Sequence, residues 1–313
     1  MSETLLIEKF QDPRRTAKGE PRAYVGYQET KTLWFNTGTL CNIECVNCYI
    51  ESSPTNDRLV YLKLEDILPY LDELESAGET DIEIGFTGGE PFMAPEMLDI
   101  LRACLQRGHR VLMLTNAMQP MMRPRIKGGL IELRDAFGSR LKMRVSIDHF
   151  TAELHDEERG AGAFSLALKG LRWLSENQFS LALAGRTIWG EEEELARVGY
   201  SDLIARENLA IDPANPSEMV LFPEMRGDED PPEITSACWS ILDKDPNELM
   251  CASQRMVVKR KGAAGPTVVA CTLLPYDSRF ELGETLAEAR QGVALNHSYC
   301  ATFCVLGGGS CSG

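Results

Sequence analysis

Cys41-Asn-Ile-Glu-Cys45-Val-Asn-Cys48 sets three thiols in a Cys-x3-Cys-x2-Cys run, directly after the apolar segment Leu33-Trp34-Phe35 that reads as a first strand. Three ligands is the informative number. A four-iron cubane is ordinarily held by four thiolates, so three close cysteines leave one iron open to something else. A structural zinc site is closed and tetrahedral, and no fourth ligand stands nearby. A zinc knuckle completed from far along the chain, or three core thiols that cluster, are the plainer alternatives.

Beyond this loop the sequence alternates strand-like and helix-like segments, the pattern of a parallel sheet with crossover helices. Leu64 to Ala77 carries apolar residues at helical spacing, and Asp81-Ile-Glu-Ile-Gly-Phe86 alternates at period two before a Gly88-Gly89-Glu90 turn. Met97 to Gln106 is helical, with Cys104 on its apolar side as a packed core thiol. Val111-Leu-Met-Leu114 reads as a buried parallel strand, Leu141 to Ile147 as the next, and Phe164 to Glu176 as a helix. Phe179 to Ala184 is a strand, Glu191 to Glu207 a helix, and Met219-Val-Leu-Phe222 a sixth strand. The acidic run Glu191 to Glu194 fits a helix start favoured by the macrodipole and is given no chemistry.

Cys41, Gly88, Asn116, Asp148 and Arg186 all fall where a strand has just ended. In parallel α/β barrels that C-terminal rim is where active sites are built. Each has a plain reading as well: paired glycines make turns, Asn and Asp cap helices, and Arg186 is an ordinary surface residue until something places it.

The cysteine run, Tyr49 after it, and Thr87-Gly88-Gly89-Glu90-Pro91 some forty residues on together resemble the radical S-adenosylmethionine (SAM) superfamily. The resemblance implies an α/β fold, a partial (β/α)6 TIM-type barrel. It implies that Cys41, Cys45 and Cys48 hold a [4Fe-4S] cluster whose open iron is chelated by SAM, and that an electron from the cluster cleaves SAM to a 5′-deoxyadenosyl radical that abstracts hydrogen from substrate. Gly88, Gly89 and Glu90 match the turn that binds the SAM amino group. Asn116, Ser146 and Asp148 resemble positions that hydrogen-bond the SAM ribose or carboxylate, and Arg186 is a further carboxylate contact through bidentate guanidinium pairing. Many members put an aromatic residue before the third cysteine; here Asn47 stands there and Tyr49 follows, which bears on how the adenine is covered. His155-Asp156, Arg159-Gly160 and Phe164 resemble a stretch of largely structural role. His149 is a candidate substrate-side group because His titrates near neutrality, with a satisfied non-catalytic His as the alternative.

Beyond the linker-like Asp228-Glu-Asp-Pro-Pro232, six of the ten cysteines crowd the C-terminal region. Cys251 and Cys271 bracket two strand-like runs, Met256 to Lys259 and Thr267 to Ala270, joined by a turn with Gly262 and Gly265; a hairpin there brings the two thiols close. Leu282 to Ala289 reads as a short helix, and Cys300, Cys304 and Cys311 follow with Gly307-Gly-Gly among them. This cysteine-rich extension of hairpin plus short helix resembles the SPASM or twitch extensions, which hold auxiliary [4Fe-4S] clusters. One auxiliary cluster is expected on Cys251, Cys271 and two of Cys300, Cys304 and Cys311, with Cys238 and His297 in reserve and a structural zinc site as the alternative. The expected organisation is an arm over 1–30, a barrel over 31–227 and an auxiliary-cluster domain over 228–313.

Composition narrows the partners. A formal charge of −15 argues against a phosphate-backbone partner. No apolar run reaches the roughly 18 residues of a membrane span, and the N-terminus lacks the positive region of a secretory signal. Ten cysteines in a cytoplasmic chain point to metal or redox use rather than disulfides. Lys9 to Arg22 reads as a solvated arm. The expected substrate is a small molecule or a peptide; only about thirty residues precede the first strand, too few for a leader-binding domain. An electron donor such as flavodoxin or ferredoxin is implied. The rival reading is a non-catalytic iron–sulfur or zinc protein on the same scaffold, against which Gly88-Gly89-Glu90 argues, since an electron carrier needs no SAM-chelating turn.

Overall fold

A nine-stranded sheet organises the chain, and its middle is a run of parallel strands. The computed structural model describes residues 8–223 and 230–311, so the 228 boundary and the extreme N-terminus lie outside it. In chain order the elements are β1 (Thr32–Asn36), α1 (Leu64–Ser76), β2 (Glu83–Thr87), α2 (Met97–Gln106) and β3 (Arg110–Thr115). They continue with α3 (Pro124–Phe137), β4 (Leu141–Ser146), α4 (Ala152–Arg159), α5 (Ala163–Glu176), β5 (Ser180–Arg186), α6 (Glu193–Arg206) and β6 (Met219–Phe222). Parallel pairing runs β1 to β6 without interruption, as Leu33↔Ile84, Ile84↔Val111, Val111↔Leu141, Met143↔Leu181 and Leu183↔Met219 record.

Strand alternation decides which side chains face the helices. Leu33 and Phe35, Ile84 and Phe86, Val111 and Met113, Met143 and Val145 pack with Ile67, Leu71, Leu101 and Leu171 of the helices in one buried cluster. The opposite face carries Trp34, Leu112 and Arg144 into the barrel interior, all 1% exposed or less. Helix α3 was not read from the sequence. Its Gly128-Gly129 pair looks like a turn, yet Gly129 serves a close helix contact: a Cβ there would lie 2.4 Å from Leu98 Cδ1 of α2. The six parallel strands form the expected partial barrel, and between β6 and the next strand the described residues hold only short helical turns, Cys238–Ile241, Pro246–Glu248 and Met250–Ser253.

The C-terminal region continues the barrel sheet. β7 (Gln254–Val258) pairs in parallel with β1, and β8 (Thr267–Val269) returns antiparallel on β7 as the expected hairpin. A third strand, β9 (Glu281–Gly283), pairs with β8 where a helix was expected; the helix is confined to Leu286–Ala289, with Thr285 and Glu288 forming a capping box. Cys300–Leu306 is wound as a π-helix, and it turns Phe303 into the barrel interior.

The expected solvated arm is docked instead. Arg22 and Glu233 form a buried ion pair at 2.5 Å, Ala23 and Val25 are fully buried, and Tyr24–Val25 pairs antiparallel with Val293–Ala294. Among the described residues no helix is long and apolar enough to cross a membrane.

Candidate active site

The C-terminal ends of β1 to β5 open into one cleft of about 190 Å3. Cys41, Cys45 and Cys48 line it from the loop after β1, and Gly88 and Gly89 from the turn after β2. Thr115 and Asn116 enter from the end of β3, Ser146 and Asp148 from β4, and Arg186 from β5. The rim residues read from the sequence therefore meet in one space, with Tyr49 beside them.

Burial pushes the Cys41 thiol up to about 11 and the Cys45 thiol up to about 12, so without a metal both stay protonated. All ten cysteines are free thiols. Among the described residues no three His, Cys, Asp or Glu side chains converge as ligands of one metal ion. The irons of a cubane each take their own thiolate, so a cluster fits thiols that ring a cavity rather than meet at a point. Ser52, also in the cleft wall, has a buried hydroxyl with no hydrogen-bond partner.

Gly88 and Gly89 are glycine for a reason other than ligand approach. A Cβ on Gly88, whose φ is +133°, would lie 2.6 Å from Gly38 O, and one on Gly89 would lie 2.1 Å from Leu40 O. The turn is pressed against the strand-to-cysteine connection, where Gly89 N–H donates to Gly38 O at 2.8 Å. Glu90 is not among the residues that line the cleft, and it lies behind Thr115 and Asn116, which do. Its carboxylate accepts from Thr115 Oγ1 at 2.9 and 3.1 Å, from Asn116 N–H at 2.9 Å and from Phe92 N–H at 3.2 Å. Burial raises its pKa to about 7 against those donors.

The fourth and fifth rim positions are tied into two ion pairs. Asp148 receives the Arg159 guanidinium at 2.5 Å from Nε and 2.9 Å from Nη2. Burial alone would raise the Asp148 carboxyl, but Arg159 outweighs it and holds the group below its ordinary value. Arg159 lines the cleft and lies within electrostatic reach of Cys45 and Cys41. The sequence resemblance had given it a largely structural role; its place in the cleft wall is visible only in the fold. The second pair is Arg186 Nη1 with Glu158 Oε1 at 2.9 Å; Glu158 also lines the cleft and went unnoticed in the sequence. Asn116 Nδ2 donates to Asn42 Oδ1 at 2.9 Å, steadying the loop around Cys41.

His149 is not among the cleft residues. Its Nδ1 accepts from Thr151 N–H at 3.0 Å, its Nε2 lies 3.1 Å from Glu191 Oε1, and its ring stacks on Phe150. Burial lowers its pKa, with Glu191 acting against the shift. Glu191 lies ahead of α6, which begins at Glu193, and folds back toward His149 instead of starting the helix.

A second set of thiols gathers behind the cleft. Cys304 lies within electrostatic reach of Cys271, Cys300 and Cys251 and, last in strength, Cys311. Burial pushes Cys251 up to about 11 and Cys300 up to about 12. Cys311 lines the cleft itself, its Sγ 3.1 Å from Thr272 Oγ1, and its carbonyl accepts from Arg144 Nη1 at 2.6 Å. Tyr49 stands between the two sets, in electrostatic reach of Cys311, Cys48 and Cys271. Cys238 is held by the Thr235 N–H at 3.4 Å, and His297 Nδ1 accepts from Tyr299 N–H at 3.1 Å.

A sequence model of the radical SAM superfamily matches residues 35–194. The antilisterial bacteriocin subtilosin biosynthesis protein AlbA of Bacillus subtilis (strain 168) is 31% identical over 145 residues, covering 46% of this chain and 30% of AlbA. The AdoMet-dependent heme synthase of Methanosarcina barkeri is 34% identical over 143 residues, covering 44% of this chain and 37% of that one. The chain thus spans about a third of the length of these curated relatives. Among solved structures, anSMEcpe with bound AdoMet and Cp18Cys peptide superposes with a TM-score of 0.59 at 13% identity, covering 82% of this chain and 79% of that one, a likeness of fold.

Proposed function

The chain belongs to the radical SAM superfamily, and on that premise we propose that it is a radical SAM enzyme whose Cys41, Cys45 and Cys48 hold a [4Fe-4S] cluster with one iron left for SAM. When bound, this pair supplies a 5′-deoxyadenosyl radical that takes a hydrogen atom from the substrate. The observation that carries the reading is the meeting of the three thiols with Gly88, Gly89, Asn116 and Arg159 in one cleft.

The chain's own contribution is placement and exclusion of water. Gly88 and Gly89 supply backbone to the SAM amino group, while Glu90 acts behind them by fixing the turn to the end of β3. Arg159, aimed by Asp148, presents a buried cation for the SAM carboxylate, a part first expected of Arg186. Ser146 and Asn116 face the same space for the ribose. The far wall is apolar, built from Trp34, Leu114, Phe222, Leu273 and Phe303, and it shields the site from solvent and from the dissolved reductants that would quench a radical.

Cys251, Cys271, Cys300 and Cys304 are the ligands of one auxiliary [4Fe-4S] cluster of SPASM or twitch type, behind the wall made by Tyr49 and Cys311. The substrate is a peptide. AlbA is named for bacteriocin biosynthesis and anSMEcpe was solved with a peptide. A small redox protein of the flavodoxin or ferredoxin kind supplies the electron. A cytoplasmic setting suits ten unpaired thiols.

The test is anaerobic reconstitution with iron and sulfide, then SAM and a reductant. 5′-Deoxyadenosine should form with the parent chain and not with Cys45→Ala. A parent that holds iron yet leaves SAM intact would refute the reading.

A further inference from the structure

The loop from Asn42 to Tyr49 has no regular secondary structure, so its local sequence does not decide where Cys45 and Cys48 point. Ile43 and Tyr49 seat the two ends of the loop against the core, but apolar packing does not decide the segment between them, because Val46 at the loop's tip is 73% exposed. What holds that segment is hydrogen bonding centred on Glu158. Val46 N–H donates to the Glu158 carbonyl at 2.9 Å, Asn47 N–H to Glu158 Oε1 at 2.8 Å, and Asn47 Nδ2 to Glu158 Oε2 at 2.7 Å. Arg186 Nη1 closes the set, donating to Asn47 O at 3.2 Å and to Glu158 Oε1 at 2.9 Å.

Glu158 is 2% exposed, so its carboxylate oxygens depend on protein donors rather than on water for their hydrogen bonds. A carboxylate buried for helix stability alone would not need both oxygens on one loop residue. Asn47 stands just before the third cysteine, where many members of the family carry an aromatic ring. Here a polar lock replaces it.

We propose that Glu158 is a positioning residue that sets the pose of the Cys45–Cys48 segment through Asn47, and thereby the fit of SAM to the site. The inference rests on the cluster reading above. Its mark is reciprocity. In Asn47→Asp two carboxylates oppose each other, and in Glu158→Gln the carboxylate that faces Arg186 is lost, leaving only an amide–amide bond that forms when the Asn47 amide turns over. In the Asn47→Asp/Glu158→Gln double variant donor and acceptor are exchanged, and a carboxylate again stands beside Arg186.

The experiment compares these three variants with the parent as full chains, reconstituted anaerobically. It reads iron content, the electron paramagnetic resonance spectrum of the reduced cluster with and without SAM, and SAM affinity. Each single variant should weaken SAM affinity about tenfold, as loss of a buried charged hydrogen bond does, and should blunt the spectral change that SAM causes in the parent. The double variant should recover most of both. Singles that match the parent overturn the inference, and so does a double variant no better than Asn47→Asp, since an effect that runs through some other contact of Glu158 predicts no recovery; unchanged iron content with altered SAM affinity separates positioning from loss of the fold. A parent that binds no iron overturns the cluster reading itself and takes this inference with it, an outcome separable from the other two by the iron content alone.

Discussion

The indole N–H of Trp34 donates to Gln254 Oε1 at 3.0 Å, a fully buried bond between residues 220 apart. It ties the first barrel strand to the C-terminal hairpin strand that pairs with it, so the hairpin is a wall of the barrel. Gln254→Leu leaves that N–H buried without a partner and should cost about 1–3 kcal/mol in urea unfolding. Trp34→Phe carries a cavity cost of its own, but in the Gln254→Leu background it should cost less than in the parent, because there the indole N–H is already unpaired. A double-mutant cycle with no coupling between the two positions would speak against the contact.

The Arg22–Glu233 pair makes the N-terminal arm part of the fold. Glu233 also accepts from Phe10 N–H at 2.7 Å and Ala17 N–H at 2.6 Å, and its side chain is 6% exposed. Burial alone would raise the Glu233 carboxyl, but the Phe10 N–H and Arg22 outweigh it and depress its pKa. A depressed acid contributes stability that is full above its unfolded value, about 4.3, and is lost as pH falls through the folded value. Glu233→Gln should therefore lower the stability at pH 7 by about 3 kcal/mol, the size of a broken buried pair. The gap between parent and variant should close as the pH is taken below about 4. A gap that is constant with pH would rule out the ionic account.

Strand ends were legible because each rim residue follows a period-two or continuous apolar run, and a parallel barrel gathers such ends in one place. Cys41, Gly88, Asn116, Asp148 and Arg186 were found that way. Glu158 and Arg159 escaped because both sit in α4, a strongly polar helix of eight residues whose charges look like solvated ones. Their work is visible only in contacts with Asn47 and Asp148, which no local period encodes. The docking of β7 on β1 escaped for the same physical reason: a pairing between residues 220 apart leaves no trace in either segment.

Glu90 gives the opposite pH dependence to Glu233. Its folded pKa, about 7, stands above the ordinary carboxylate value because burial outweighs its donors. The folded chain then binds a proton that the unfolded chain has released, so the contribution of Glu90 to stability falls as pH rises from about 4.3 toward 7 and is level beyond. The metal-free parent should lose stability across that window, and Glu90→Gln should flatten the slope. Equal slopes in the two proteins would show that Glu90 is already ionised at pH 5.

His149→Phe tests where the substrate-side chemistry is not. The ring lies outside the cleft, against Phe150, Thr151 and Glu191. The substitution should leave SAM cleavage at the parental rate while lowering thermal stability through loss of the Thr151 bonds. Arg159→Met should do the reverse to SAM affinity, because it removes a cation from the cleft wall. A large loss of 5′-deoxyadenosine in His149→Phe, with SAM binding intact, would restore the histidine as a candidate.

The cysteines divide into groups that iron analysis can separate. Two cubanes amount to about eight irons, and loss of either should leave about four. The Cys41, Cys45, Cys48 triple alanine variant should retain about four irons on the rear set. Alanine at Cys251, Cys271, Cys300 or Cys304 should remove those and spare the front ones. Cys104, fully buried on the apolar side of α2, and Cys238, engaged with Thr235, should change nothing. Cys311 decides the assignment. Its sulfur is engaged by Thr272 in the cleft wall, so Cys311→Ala should keep the full iron complement. Loss of about four irons on that substitution would make Cys311 a ligand and release Cys300 or Cys304 from the set. Zinc in place of iron at the rear would overturn the auxiliary cluster while leaving the front site untouched.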